Sequence, residues 1–375
     1  MHRISFFMVV LTIGLVFGQS SLAVEPANQP KNAALVYWQA IALLPEWTDE
    51  QKQWLNKTPR DQFATVKLDD QSQSLVNSCQ MSLDLLQRAG RIPNCDWGSL
   101  WEDGLTTVLP HLGKARLLAQ LAVLRGRHRI EAGKSTDDFI SAIQLAHHAS
   151  ADGILISQLV RNSIEQMVFD VLSQNLSRLK TAELRRLSNH LESMPPATEL
   201  SEALLKEKTY LVLWLRRQLK DDSSGQQYER MVKLLGAEVE NEQNIRKQAP
   251  NSKVFLRLLD DLEKSFDEAA ELAKLPPDQL KKPWQKLAKR LEAENLIGYT
   301  LFPALDRART ADVKAVTRRA MLKAALHAAL DQQSQFNEIE DPFGSGPFTL
   351  RNTENGFVLS SKLMIEGKPF EAAFR

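Results

Sequence analysis

Two cysteines, seven histidines and a run of tryptophans near the N-terminus are the side chains of this 375-residue chain with chemistry of their own. Cys79 and Cys95 enclose 15 residues. In an oxidising compartment such a pair predicts one disulfide, and closing a loop of that size is worth about 3 kcal/mol in the chain-entropy model. Two thiols with no histidine between them do not make four ligands, and no CxxC or HxxxH spacing occurs, so no metal site is expected. His147 and His148 are neighbours, and adjacent helical residues point about 100° apart, which is the wrong geometry for a metal pincer. Their ordinary reading is one partly buried and one exposed ring. No GxSxG elbow, phosphate-binding glycine loop or HExxH is present, so no catalytic residue and no cofactor are assigned.

The remaining candidates are scattered. Between Leu204 and Leu211 the expected apolar step falls on Glu207 or Lys208. A buried Glu207 would have a raised pKa suited to acid–base work; a boundary ion pair is the plainer expectation. Tyr37, Trp38, Trp47, Trp54, Trp97 and Trp101 lie within 65 residues and could cradle a ligand, with His111 close behind. Core packing is the plainer reading here too, because leucines flank them, and Trp97 and Trp101 are expected to cover the disulfide. Arg161 and Glu165, four apart, suit a surface pair worth a few tenths of a kcal/mol. The doublets Arg185-Arg186, Arg216-Arg217, Lys281-Lys282 and Arg318-Arg319 read as solvated helix faces.

These residues must be positioned by helices, because apolar residues recur every three or four positions from Lys31 to about Gln335. From Ile154 to Leu179 the stripe runs through Leu159, Val160, Ile164, Val168 and Leu172. Thr58-Pro59-Arg60-Asp61 predicts the start of a helix running toward Gly90, and Ser135-Thr136-Asp137-Asp138 predicts a capping box after a turn at Gly133. Further helices are expected at about 182–194, 199–220, 226–247, 254–275, 278–295 and 311–333. Short linkers favour antiparallel neighbours, so the expectation is mainly α, an irregular array of stacked helical hairpins. Leu121–Ala149 resembles one tetratricopeptide-type hairpin, but no 34-residue period recurs. Asp341–Pro347 ends the helical pattern, and a β-hairpin turning at Asn355-Gly356 follows, with a third short strand at 370–374.

His2 and Arg3, an apolar Ile4–Phe17 and Ser21-Leu22-Ala23 form the three-part pattern of a secretory signal cleaved near Ala23. The expected organisation is therefore signal 1–23, helical domain 24–338 and β-tail 339–375 packed on the helical body. No later apolar run reaches membrane-spanning length, so no integral membrane segment is expected after cleavage. The full chain carries 47 Lys+Arg and 46 Asp+Glu; removal of Arg3 leaves 46 of each. A neutral, exported chain lacks the basic footprint of a nucleic-acid binder.

The chain also resembles a group of exported helical proteins of planctomycete bacteria. The resemblance lies in Asn32-Ala33-Ala34-Leu35-Val36-Tyr37-Trp38, in Cys95-Asp96-Trp97-Gly98 followed by Leu109-Pro110-His111-Leu112, and in Asp341-Pro342-Phe343 with Gly356-Phe357-Val358-Leu359. It implies export and a helical body and attaches no activity. The leading expectation is a non-catalytic interaction or scaffolding module of the cell envelope, with another envelope protein as partner. The alternative is an extracytoplasmic enzyme or small-ligand binder, with Glu207, His111, Trp97 or Trp101 in its pocket.

Overall fold

Apolar spacing becomes helix along most of the chain. The computed structural model describes residues 30–58, 63–220, 222–236, 239–301 and 305–375, so the signal-type segment 1–23 lies outside the described residues. The helices are α1 Ala33–Ala42, α2 Asp49–Lys57, α3 Asp70–Ser78, α4 Gln80–Ala89, α5 Pro110–Arg129, α6 Thr136–Ala149, α7 Leu155–Asn175 and α8 Thr181–Ser193. They continue as α9 Leu200–Leu219, α10 Gln226–Leu235, α11 Val239–Gln248, α12 Ser252–Leu272, α13 Pro277–Glu294, α14 Leu296–Leu301, α15 Leu305–Ala329 and α16 Gln333–Glu338. An antiparallel sheet, β1 Thr349–Thr353, β2 Gly356–Ile365 and β3 Lys368–Phe374, closes the chain in the order β1-β2-β3. Among the described residues, no helix is long and apolar enough to cross a membrane.

Burial divides the helical body into two apolar cores. The first collects α1–α8, with Trp54 as the contribution of α2, the end of α15 and the inward side chains of the sheet. The second is built from α9–α14 and reaches the start of α15 at Ala308. A 25-residue α15 is about 37 Å long at 1.5 Å per residue. Its Ala308 lies in the second core, whereas Met321, Leu322 and Leu326 lie in the first. One helix thus spans both cores. The β-tail docks on the first core. Phe374 meets Phe169 of α7 edge-on at 5.7 Å, and the Arg375 N–H donates to Ser173 O at 2.8 Å. Asp341 is buried and pins the turn before the sheet to β2. Its Oδ1 accepts from Ser361 Oγ and its Oδ2 from the Lys362 N–H, at 2.8 and 2.6 Å.

Several local expectations change. Thr58 does not start a helix: it ends α2, its hydroxyl and N–H both donating to Trp54 O. Residues 59–62 of the expected start lie outside the described residues, and α3 begins at Asp70, where Asp69 and Ser72 cap each other reciprocally. The helix expected toward Gly90 breaks at Cys79, which ends α3 and begins α4. The expected disulfide is absent, and both thiols are free. Cys79 is buried at that helix junction, whereas Cys95 lies on the segment after α4. That segment is tied to α1 by backbone bonding instead, Ala33 N–H donating to Asn94 O at 2.8 Å. Burial, reinforced by the Asp96 charge, pushes the Cys95 thiol up to about 12, so both cysteines behave as small apolar side chains. The single helix expected over 226–247 is two, with Gly236 ending α10.

Gly133 makes the turn between α5 and α6 at φ +68° as expected, but Ser135 does not cap α6 by itself. A carboxylate from another helix does so. Glu183 Oε1 of α8 accepts from the N–H and hydroxyl of Ser135 at 3.0 and 2.8 Å, and from the hydroxyl of Thr136 at 3.0 Å. Burial alone would raise this carboxyl, yet those hydroxyls and the neighbouring N–H groups hold it below the usual carboxylate range. Its stabilisation is complete above the unfolded value of about 4.3 and is lost as pH falls through the lowered folded value. Glu183→Ala is expected to cost about 2–3 kcal/mol in urea unfolding at pH 7 and to remove part of the acid-induced loss. A cost below about 0.5 kcal/mol would mean that α6 does not need the cap.

Candidate functional site

The four side chains singled out by sequence do not share a site. Trp97 lies between Tyr37 and His111, stacked on both at centroid distances of 5.4 and 4.7 Å, and the Trp38 ring meets it edge-on. Its indole N–H donates to His148 O at 2.8 Å, and His148 Nδ1 is 2.8 Å from the Tyr37 hydroxyl. This aromatic column fastens the 91–109 segment to α1 and α6. Burial lowers His111 to about 4; burial, with a smaller contribution from His147, lowers His148 to about 4. Both rings are therefore neutral packing elements at pH 7. Trp101 does not cover Cys95. It stacks on Tyr210 of α9 at 4.8 Å, in a 3₁₀ turn whose Gly104, at φ +55°, leaves no room for a Cβ against the Trp214 ring. The turn straps the first core to the second.

Glu207 is indeed raised by burial, and the nearby Asp152 adds to the shift. Its geometry is that of a cap, with Oε1 accepting the Leu155 N–H at the start of α7, 3.1 Å away. Glu207, His111, Trp97 and Trp101 line neither of the two clefts described next. The adjacent histidines match their ordinary reading only in part: His148 is buried, and His147 is half-buried rather than exposed.

Concave surface forms instead where the two cores meet along α15. A cleft of about 370 Å³ has an apolar wall that includes Val168, Phe169, Met194, Val316, Leu322 and Ile339. A larger one, about 710 Å³, is bordered by Lys274, Arg309, Arg319 and Lys362, with Glu199 and Asp312 as its carboxylates. Ala197, Val316, Arg319 and Pro342 belong to both, so the two abut. The Pro195-Pro196 break between α8 and α9 and the Asp341-held turn supply the rims.

Charge at the junction is unevenly shared. Glu165 of α7 accepts from Arg161 Nε at 2.7 Å through one oxygen and from Arg319 Nη1 of α15 at 2.8 Å through the other. The side chains of Arg161 and Glu165 are 3% and 9% exposed. Two guanidiniums thus share one carboxylate. His147 Nδ1 stands 3.5 Å from Arg161 Nη1, and burial, followed by the Arg161 charge, lowers this ring, which leaves the excess charge in place. Arg309 pairs with Asp312 at 2.7 Å; burial raises the Asp312 carboxyl against the pull of Arg309 and Arg319. Arg318 covers the Phe370 ring at 5.4 Å, and burial lowers it.

No known protein family, curated protein or solved structure matches this chain.

Two expectations are corrected here. Arg161–Glu165 is a buried pair, and Arg318-Arg319 is not a solvated face. A signal for the first was present: both residues fall within the apolar stripe formed by Val160, Ile164 and Val168, three or four positions from its members. For the second there was none, since Arg319 meets Glu165 across 154 residues.

The neutral histidine of the aromatic column makes a pH prediction. With an unfolded pKa of about 6.5 and a folded one of about 4, His111 binds its proton more readily in the unfolded chain. Stability is therefore expected to fall as pH drops from 6.5 toward 4. His111→Phe, which keeps the stack, should flatten that limb in denaturant titrations. An unchanged pH dependence in the variant would show that the ring is not held neutral.

Proposed function

We propose that this chain is exported on its N-terminal segment and acts as a non-catalytic binding module that takes an apolar ligand in the cleft beside α15, against its first helical core. The observation carrying this reading is the 370 Å³ cleft, whose wall is largely aliphatic and whose volume falls within the range of small-ligand sites. Binding is favoured over catalysis by what its charged groups are doing. Glu165, the carboxylate beside its apolar wall, is held by two guanidiniums, an arrangement that fixes its charge rather than poising it to move a proton. Scaffolding belongs to the same reading. Leu100 and Val108, at either end of the strap, are 58% and 77% exposed, and this is the surface proposed to meet another envelope protein.

The neutral, solvatochromic dye Nile red probes the apolar cleft without engaging its charges. One saturable site is expected, removed by Val316→Trp, which places a large ring where both clefts meet; circular dichroism checks that the variant remains helical. Non-saturable dye uptake, or binding indifferent to the tryptophan, would sink the reading.

A further inference from the structure

We infer that the ligand is an anionic amphiphile, a single alkyl chain ending in an oxyanion, seated with its chain in the smaller cleft and its head against Arg319 at the mouth of the larger one. The inference rests on the binding reading above and adds the head group. Three observations carry it. First, the two clefts differ in chemistry and meet at one side chain. The smaller is walled by Val168, Phe169 and Leu322, with four cationic side chains and three carboxylates around that wall, while the larger sets four cationic side chains against two carboxylates, and Arg319 lines both. A molecule that is apolar at one end and negative at the other matches that division; a neutral or cationic one does not.

Second, Arg319 has capacity to spare. Among the described residues its one hydrogen bond is to Glu165, which commits one of five N–H donors, and its side chain is 24% exposed. A guanidinium presents its donors as a planar fork that matches a carboxylate or phosphate edge.

Third, the neighbourhood holds an unbalanced charge, seven cationic side chains lining the two clefts against five carboxylates. Arg161 and Arg319 share Glu165, His147 is lowered by its surroundings, and Asp312 is already engaged by Arg309. Among the described residues no second carboxylate forms an ion pair with Arg161 or Arg319. A partly buried cation facing an apolar cleft is relieved when an anion arrives and water leaves. The oxyanion would supply the second negative charge that the triad lacks.

Titration calorimetry on the full mature chain, with decanoate, decyl phosphate, decan-1-ol and decyltrimethylammonium below their aggregation concentrations, separates the possibilities. The two anions are expected to bind at one site at least about tenfold more tightly than the alcohol, and the cation more weakly than all. Arg319→Gln should abolish the anions' advantage, so that decanoate, decyl phosphate and decan-1-ol bind alike. Arg319→Lys should retain a preference for the anions, which separates charge recognition from damage to the fold. Equal affinity for decanoate and decan-1-ol would overturn the anionic head and leave the binding reading standing. An anion preference that survives Arg319→Gln would place the head elsewhere and overturn the assignment. Failure of all four probes to bind would sink both readings together.

Discussion

Glu165 is the hinge on which the arrangement of this protein turns, because it is a carboxylate taken out of water between two guanidiniums from different helices. Its pairing with Arg161 stays within α7, whereas its pairing with Arg319 ties α7 to α15, the helix that spans both cores. Each ion in such a group has lost solvation worth several kcal/mol, which only close pairing restores. Removing the carboxylate would leave two like charges side by side, one buried and one partly buried. The triad is therefore less a source of net stability than a constraint on how α7 and α15 can sit, and hence on the shape of the clefts beside them.

The smaller cleft lies against this triad, Arg161, Glu165 and Arg319 all lining it. Val168, Phe169, Val316 and Leu322 supply its apolar wall beside these charged groups. The Pro195-Pro196 linker turns away at one rim. The buried Asp341 holds the other by accepting from Ser361 and Lys362 of β2, so the small sheet helps shape the cleft at the end of the chain.

What could be read from sequence follows the range of each interaction. Helix positions were legible because spacing and capping residues act within a few positions: the helices expected at 182–194 and 199–220 appear as Thr181–Ser193 and Leu200–Leu219. The strands were equally local, with Asn355-Gly356 at the turn. Failures came where a distant residue decided a local outcome. Ser135 lost its own capping role to Glu183, 48 residues away, and Cys79 was sealed at a helix junction while Cys95 followed the 91–109 segment onto α1. The candidate site was the least legible part. Chemically conspicuous side chains were absorbed by packing: Trp97 and His111 in a stack, Trp101 against Tyr210, Glu207 at the start of α7. The cleft is built around an arginine doublet that resembles any solvated helix face until α7 is brought against it.

A double-mutant cycle on Glu165 and Arg319, using Gln at each position and urea unfolding at pH 7, measures whether this contact joins the helices as described. The predicted coupling is about 2–3 kcal/mol, the size expected for a partly buried charge pair with direct hydrogen bonding. A coupling below about 0.5 kcal/mol would put the Arg319 charge in solvent, and the triad could then neither set the position of α15 nor present an unbalanced charge to the cleft.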